Sequence, residues 1–240
     1  MSRAVLVHGF LGSPEDWSDV RAQLNPSINC ECVSLRDLGC ASIALAAEAL
    51  AIQLAKNSCD VLVGYSMGGR IALELASKQP ELAPRLVLFS TSTGLHDADQ
   101  RNARAQQDDA RAVDLREHGM LEFTRRWYEL PMFAQFRAHA SFTRTRARRV
   151  IGDAEFWAGC VASCSPGRTE CRSNDLARLA SRTSMAVGDR DDYYVAFALR
   201  AASLAPTLTV EMIAGAGHVL PLEAPLACAD IIERALKSST

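Results

Sequence analysis

Lysine is scarce in this chain of 240 residues: Lys56, Lys78 and Lys237 are the only ones, so 23 of the 26 basic side chains are arginine. Arginine is the cation suited to bidentate contact with carboxylate or phosphate, although a GC-rich genome produces the same skew. An excess of one sign of charge is also missing. With 28 acidic residues and a net charge of −2, neither nucleic acid nor an anionic membrane is implied as a partner. There is no long apolar run near the start either: Ala4 to Val7 is too short for the core of a signal peptide or for a membrane span. A soluble, cytoplasmic protein is therefore expected. The eight cysteines follow no zinc-site spacing, since Cys160, Cys164 and Cys171 lack a fourth ligand close by. In a reducing compartment they are expected to be small buried or half-buried thiols, with no metal and no disulfide framework.

What is present is enough apolar residue, 48% of the chain, for one large core and a single domain over residues 1–240. Short aliphatic runs at Arg3 to Val7, Cys32 to Leu35, Asp60 to Val63, Arg85 to Phe89, Thr183 to Val187 and Thr207 to Ile213 alternate with helical stretches. That alternation predicts a mostly parallel, doubly wound α/β sheet with helical crossovers. Ser13-Pro14-Glu15-Asp16 reads as a helix start, with an N-cap, a first-position proline and first-turn acids. Ile43 to Lys56 reads as an alanine-rich amphipathic helix. Between Ser90 and Thr183 about ninety residues show no convincing strand, far more than a connection needs. They predict an inserted helical cap over about residues 94–178. Within it Asp97 to His118 is polar nearly all round, Leu121 to Phe136 mixes aromatics with charge, and Ser163 to Asn174 looks like the loop returning to the sheet.

The strongest chemical signal is Gly64-Tyr65-Ser66-Met67-Gly68-Gly69, directly after the apolar Val61-Leu62-Val63 and before a helical run from Arg70 to Lys78. A serine between small residues on a strand-to-helix turn is a nucleophile elbow: Gly64 and Gly68 permit a strained turn, and the helix N-terminus favours developing negative charge. This is the mark of an α/β-hydrolase fold. Such a serine needs a base and a group to orient it, expected in chain order acid then histidine. His218, in Gly215-Ala216-Gly217-His218 after the last strand, is the expected base. His8 reads as structural, and His96, His118 and His139 as solvated cap residues. Val187-Gly188-Asp189-Arg190-Asp191-Asp192 offers the acid: the distance from Gly188 favours Asp191, with Asp189 and Asp192 as alternatives. The backbone N–H groups of Phe10 and Met67 are candidates for an oxyanion hole.

These residues resemble one subfamily in particular, the 2-succinyl-6-hydroxy-2,4-cyclohexadiene-1-carboxylate synthases of menaquinone biosynthesis. Four stretches carry the likeness: His8-Gly9-Phe10-Leu11-Gly12-Ser13 with Trp17; Gly64 to Arg70; Gly94-Leu95 with Gln100-Arg101-Asn102-Ala103-Arg104; and Trp127-Tyr128 with Pro131 and Phe133. It runs from about residue 4 to residue 225 and is weakest between 138 and 182. Where the family has an Asp-Leu-Pro-Gly-His-Gly loop, this chain reads Leu35-Arg36-Asp37-Leu38-Gly39-Cys40, and Pro166 to Asn174 also departs from the pattern.

The resemblance implies a carbon–oxygen lyase that eliminates pyruvate from an enolpyruvyl precursor with no metal or organic cofactor. Its implied partner is a small-molecule polycarboxylate. Three cations hold that substrate in the family, and the matching positions are Arg70, Arg104 and Arg148, with a slip among Arg144, Arg146, Arg148 and Arg149 left open. Tyr65 and Trp127 match pocket residues. From Asp97 to Arg149 every cation is an arginine, eleven of them against fewer acids; an anionic ligand and a solvated helix face both account for that. The motif alone does not separate a lyase from a carboxylester or carbon–carbon hydrolase using the same Ser66, His218 and Asp191. A receptor that keeps the fold has no need of the three.

Overall fold

Strands that are apolar on both faces can hide both only between two helical layers, and that is how this chain folds. The structure is a computed structural model and describes residues 1–237. Its six strands are β1 (Arg3–Val7), β2 (Asn29–Val33), β3 (Val61–Tyr65), β4 (Leu86–Phe89), β5 (Thr183–Gly188) and β6 (Thr209–Ile213). They form one sheet in the order β2-β1-β3-β4-β5-β6, and every neighbouring pair is parallel. Alternate side chains feed two separate cores. Val5, Val7 and Leu62 pack under the helices Ile43–Lys56, Met67–Lys78 and Asp192–Leu204. Ala4, Leu6, Val61 and Val63 pack on the opposite face with Trp17, Val20, Ile231 and Ile232, from the Pro14–Trp17 turn and the helices Ser18–Gln23 and Pro225–Lys237.

Five strands lie within two residues of their predicted limits. The exception, β2, begins three residues early and ends at Val33. Beyond it Ser34 Oγ accepts the N–H of Arg36 and caps a short helix, Leu35–Leu38, which Gly39 closes with φ of 61°. As an edge strand, β2 buries little and shows no apolar run to read. The departure from the family's loop thus lies on this helical turn and the Gly39-Cys40 that follow it.

Chain direction changes sides between β1 and β3, so the connections leaving their carboxyl ends diverge and open a crevice. His8 to Phe10 leave β1 there, and Ser66 leaves β3. The residues between β4 and β5 stack above this crevice as the helices Ala98–Trp127, Ala134–Ala138, Phe142–Val150 and Ala154–Ser163. The two predicted segments from Asp97 onward are one helix bent at Gly119 (φ 67°, ψ 179°), which stops at Trp127 instead of running to Phe136. Both ends of the insertion meet at one point: the Arg172 N–H donates to the Thr93 carbonyl at 2.7 Å, and the hydroxyls of Thr93 and Ser173 are 2.8 Å apart. Arg172 also grips Glu74 of the Met67–Lys78 helix through two hydrogen bonds of 2.7 and 2.8 Å. The eight cysteines are free thiols, five buried and three half-buried. No helix among the described residues is long and apolar enough to cross a membrane.

Candidate active site

Ser66 sits at the end of β3 with φ of 51° and ψ of −113°, a conformation costly for a residue with a Cβ. The turn is held from several sides. The Ser66 N–H donates to the Phe89 carbonyl at 2.9 Å, while its own carbonyl accepts from Thr91 Oγ1 at 2.7 Å and from the Arg70 N–H at 3.2 Å. Glycine is required beside it because backbones touch: a Cβ on Gly64 would lie 2.4 Å from Gly69 Cα, and one on Gly68 would lie 2.3 Å from the Val7 carbonyl oxygen.

His218 reaches this serine from the loop after β6, with Nε2 3.3 Å from Ser66 Oγ and Nδ1 2.7 Å from Asp191 Oδ2. Asp191 and His218 are buried, and Ser66 is half-buried. An Nδ1–H donating to the carboxylate leaves Nε2 free to accept the serine proton. The other aspartates go elsewhere: Asp189 accepts the Gly215 N–H at 2.9 Å, and Asp192 is an exposed first residue of the Asp192–Leu204 helix. His8 is buried, with Nδ1 2.9 Å from the Gly9 carbonyl and Nε2 accepting the Leu35 N–H at 3.1 Å. Burial lowers its pKa, which suits a neutral ring fastening two loops.

Glu223 carries no sequence signal, yet its carboxylate accepts the N–H groups of Gly217 at 2.7 Å and Val219 at 2.8 Å, one on each side of His218. Burial raises its pKa above the ordinary carboxylate value, against the pull of those two hydrogen bonds. A raised folded-state pKa means stability fully present below the unfolded value and lost as pH rises through the folded one. The buried carboxylate accepts both N–H groups that flank His218 and so holds the histidine loop. Glu223→Gln, which keeps only one acceptor, is expected to lower kcat about tenfold with KM and melting temperature little changed. Parallel losses of kcat and thermal stability would make Glu223 a merely structural residue.

A cleft of about 240 Å³ opens on Ser66, lined by Phe10, Met67, Arg70, Arg104, Trp127, Tyr194 and His218 among others. Met67 opens its helix, where the first N–H groups have no intrahelical partner. Trp127 stacks on Phe123 (5.8 Å, 16°) and meets Phe10 edge-on at 5.3 Å. Arg70 is 9% exposed and its Nη1 donates to the Cys164 carbonyl at 2.6 Å. No carboxylate pairs with it among the described residues, and burial lowers its pKa. Tyr194, whose ring centroid is 4.7 Å from that of His218, has its phenol pushed up to about 12 by burial.

Two expected pocket residues lie elsewhere. Tyr65 is buried behind the serine with its ring 5.5 Å from His218, and burial raises its pKa. Arg148 is bound to Asp16 together with Arg149 (2.9 Å from Asp16), beside a separate pocket lined by His8, Ser13 and Arg36. Among the cleft residues that the sequence does not flag are Tyr194 and, on the inner face of the Ala98–Trp127 helix with Arg104, Asp108 and Arg111. The i, i+4, i+7 spacing of Arg104, Asp108 and Arg111 is the available signal. Most remaining cap arginines meet acids, as Arg116 does Glu155, Arg125 does Glu122 and Arg126 does Asp114, so the arginine excess is largely absorbed by ion pairs.

Residues 4–231 match the model of the alpha/beta hydrolase family. Among curated proteins, the chain is 29% identical to Protein PHYLLO, chloroplastic, of Arabidopsis thaliana over 94% of its own length but only 15% of that protein's. It is 25% identical to a putative 2-succinyl-6-hydroxy-2,4-cyclohexadiene-1-carboxylate synthase of Bacillus subtilis, covering 98% of this chain and 90% of that one. It is 35% identical to the synthase of an Enterobacter species over 54% of this chain and 53% of that one. Among solved structures, MenH from S. aureus superposes with a TM-score of 0.91 at 24% identity, covering 98% and 93% of the two chains. A thermophilic esterase from Thermogutta terrifontis gives 0.79 at 21%, covering 99% and 90%.

Proposed function

We propose that this chain, which belongs to the alpha/beta hydrolase family, is a carbon–oxygen lyase of menaquinone biosynthesis. It eliminates pyruvate from 2-succinyl-5-enolpyruvyl-6-hydroxy-3-cyclohexene-1-carboxylate and leaves 2-succinyl-6-hydroxy-2,4-cyclohexadiene-1-carboxylate. The similarity to curated synthases supports the pathway. The observation that carries the substrate class is Arg70, a buried guanidinium with no carboxylate partner at the mouth of a serine–histidine–aspartate chain. A buried cation without a counter-ion is costly, and an anionic ligand relieves that cost.

In this reading His218, oriented by Asp191, takes the proton of Ser66, and the alkoxide removes the proton alpha to the succinyl ketone. The N–H groups of Phe10 and Met67 hold the resulting enolate oxygen. Collapse of the enolate breaks the carbon–oxygen bond to the enolpyruvyl group, which leaves as the pyruvate enolate and is protonated to pyruvate. Trp127 walls the ring side of the cleft, and Arg104 meets a carboxylate.

The rival reading, a hydrolase, forms an acyl-enzyme on Ser66. The test offers the purified enolpyruvyl precursor and a short p-nitrophenyl ester side by side, with mass spectrometry of protein quenched during turnover. Turnover of the precursor with unmodified protein, slowed when the alpha position carries deuterium, is the expected result. A Ser66 adduct derived from the precursor overturns the lyase.

A further inference from the structure

We propose that Arg111 is a carboxylate-binding residue of this cleft, acting beside Arg104 on the same cap helix; the proposal rests on the anionic-substrate reading above and extends it. Asp108, whose side chain is 1% exposed, accepts Arg104 Nε at 2.8 Å on one oxygen and Arg111 Nη1 at 2.6 Å on the other. One carboxylate cannot neutralise two guanidiniums. Arg70 adds a third, and the remaining acid lining the cleft, Asp191, is engaged by His218.

The Arg111 side chain is only 19% exposed, and its guanidinium lies over the Trp127 ring, 5.2 Å from the centroid. Asp108 on one edge and the indole on one face fix its plane. Its other N–H groups find no acceptor among the described residues. A guanidinium with a fixed plane and unengaged donors is a prepared receptor for a carboxylate. Arg104 differs in being more open, at 34%, and in keeping both terminal amino groups free. The pair thus presents two cations about two helical turns apart, roughly 10 Å along the axis, on the wall facing Ser66. Arg148, by contrast, is committed to Asp16 beside the separate pocket lined by His8, Ser13 and Arg36.

The experiment titrates propane-1,2,3-tricarboxylate into the full chain by calorimetry at low salt, for wild type and for Arg70→Gln, Arg104→Gln, Arg111→Gln, Arg111→Lys and Arg148→Gln, each checked by thermal melting. Arg111→Gln is expected to weaken binding about 10-fold to 30-fold, the loss of one charge-assisted pair. Arg111→Lys should recover only part, because lysine neither stacks on the indole nor binds bidentately, and its retained charge guards against a folding defect in the Gln variant. Arg148→Gln should stay within about twofold, the scale of a cation outside the cleft. Unchanged affinity in both Arg111 variants, with loss at Arg70 or Arg104, overturns this proposal and leaves the anionic-substrate reading standing. No binding to wild type, or unchanged affinity in every variant, removes both.

Discussion

Asp191→Asn is expected to lower kcat by about four orders of magnitude, since an asparagine amide no longer holds the histidine in the tautomer whose Nε2 accepts the Ser66 proton. The 2.7 Å contact to His218 Nδ1 and the burial of both groups motivate the size of the effect. Ser66→Ala should match it. Asp189→Asn is the control: that side chain accepts a single backbone N–H, from Gly215, and kcat should stay within about threefold. Steady-state kinetics on the enolpyruvyl precursor, with thermal melts to show that each variant is folded, decide the matter. A large loss at Asp189 with a small one at Asp191 would move the acid's role to the earlier residue.

The second large effect is on stability. Asp16, in the turn after β1, receives both Arg148 and Arg149 from the cap, and Arg149 also donates to the Tyr128 hydroxyl. Asp16 and Arg149 have side chains only 3% and 6% exposed. Removing one partner of a buried ion pair leaves an uncompensated charge and costs about 3–5 kcal/mol. For a chain of this size that is a fall in melting temperature on the order of 10 °C. Scanning calorimetry of Asp16→Asn against Asp19→Asn separates a buried pair from an exposed one: Asp19 meets Arg144 at 3.7 Å with side chains 49% and 71% exposed, and its loss should cost under about 0.5 kcal/mol. A melting temperature unmoved in Asp16→Asn would mean that this cluster does not fasten the cap.

How much of the site is legible in the sequence depends on how far each residue's role is set by its chain neighbours. Ser66 is readable because the elbow is local: strand, small residues and helix follow one another, and the close approaches at Gly64 and Gly68 leave no room for a side chain. Asp191 and His218 are readable because a parallel sheet places the loops after successive strands on one edge. Ile43–Lys56 is readable from its alanine-rich amphipathic pattern, and the structure adds the Ser42 cap. Glu223 is not, since a carboxylate near the start of a helix has many uses and only the fold brings both its oxygens to backbone groups flanking His218.

What the sequence by itself determines here is therefore the doubly wound sheet, the helical insertion and the pairing of Ser66 with His218 and an acid of the Asp189–Asp192 loop, all products of short-range periodicity and fixed loop order; the 2.7 Å contact to His218 is what selects Asp191. The tertiary structure alone decides which cap arginines face the serine. Eleven arginines share one composition, and the selection among them rests on how each helix is rotated about its axis. Burial of Ala112, Leu115 and Phe123 in the core shared with Trp157 and Val161 of the neighbouring helix sets that rotation. It turns Arg104, Asp108 and Arg111 into the cleft, and the packing of Phe142–Val150 leaves Arg148 on Asp16. Apolar packing sets helix orientation because it is the larger free-energy term, and the charged side chains take whichever partners that orientation places in reach.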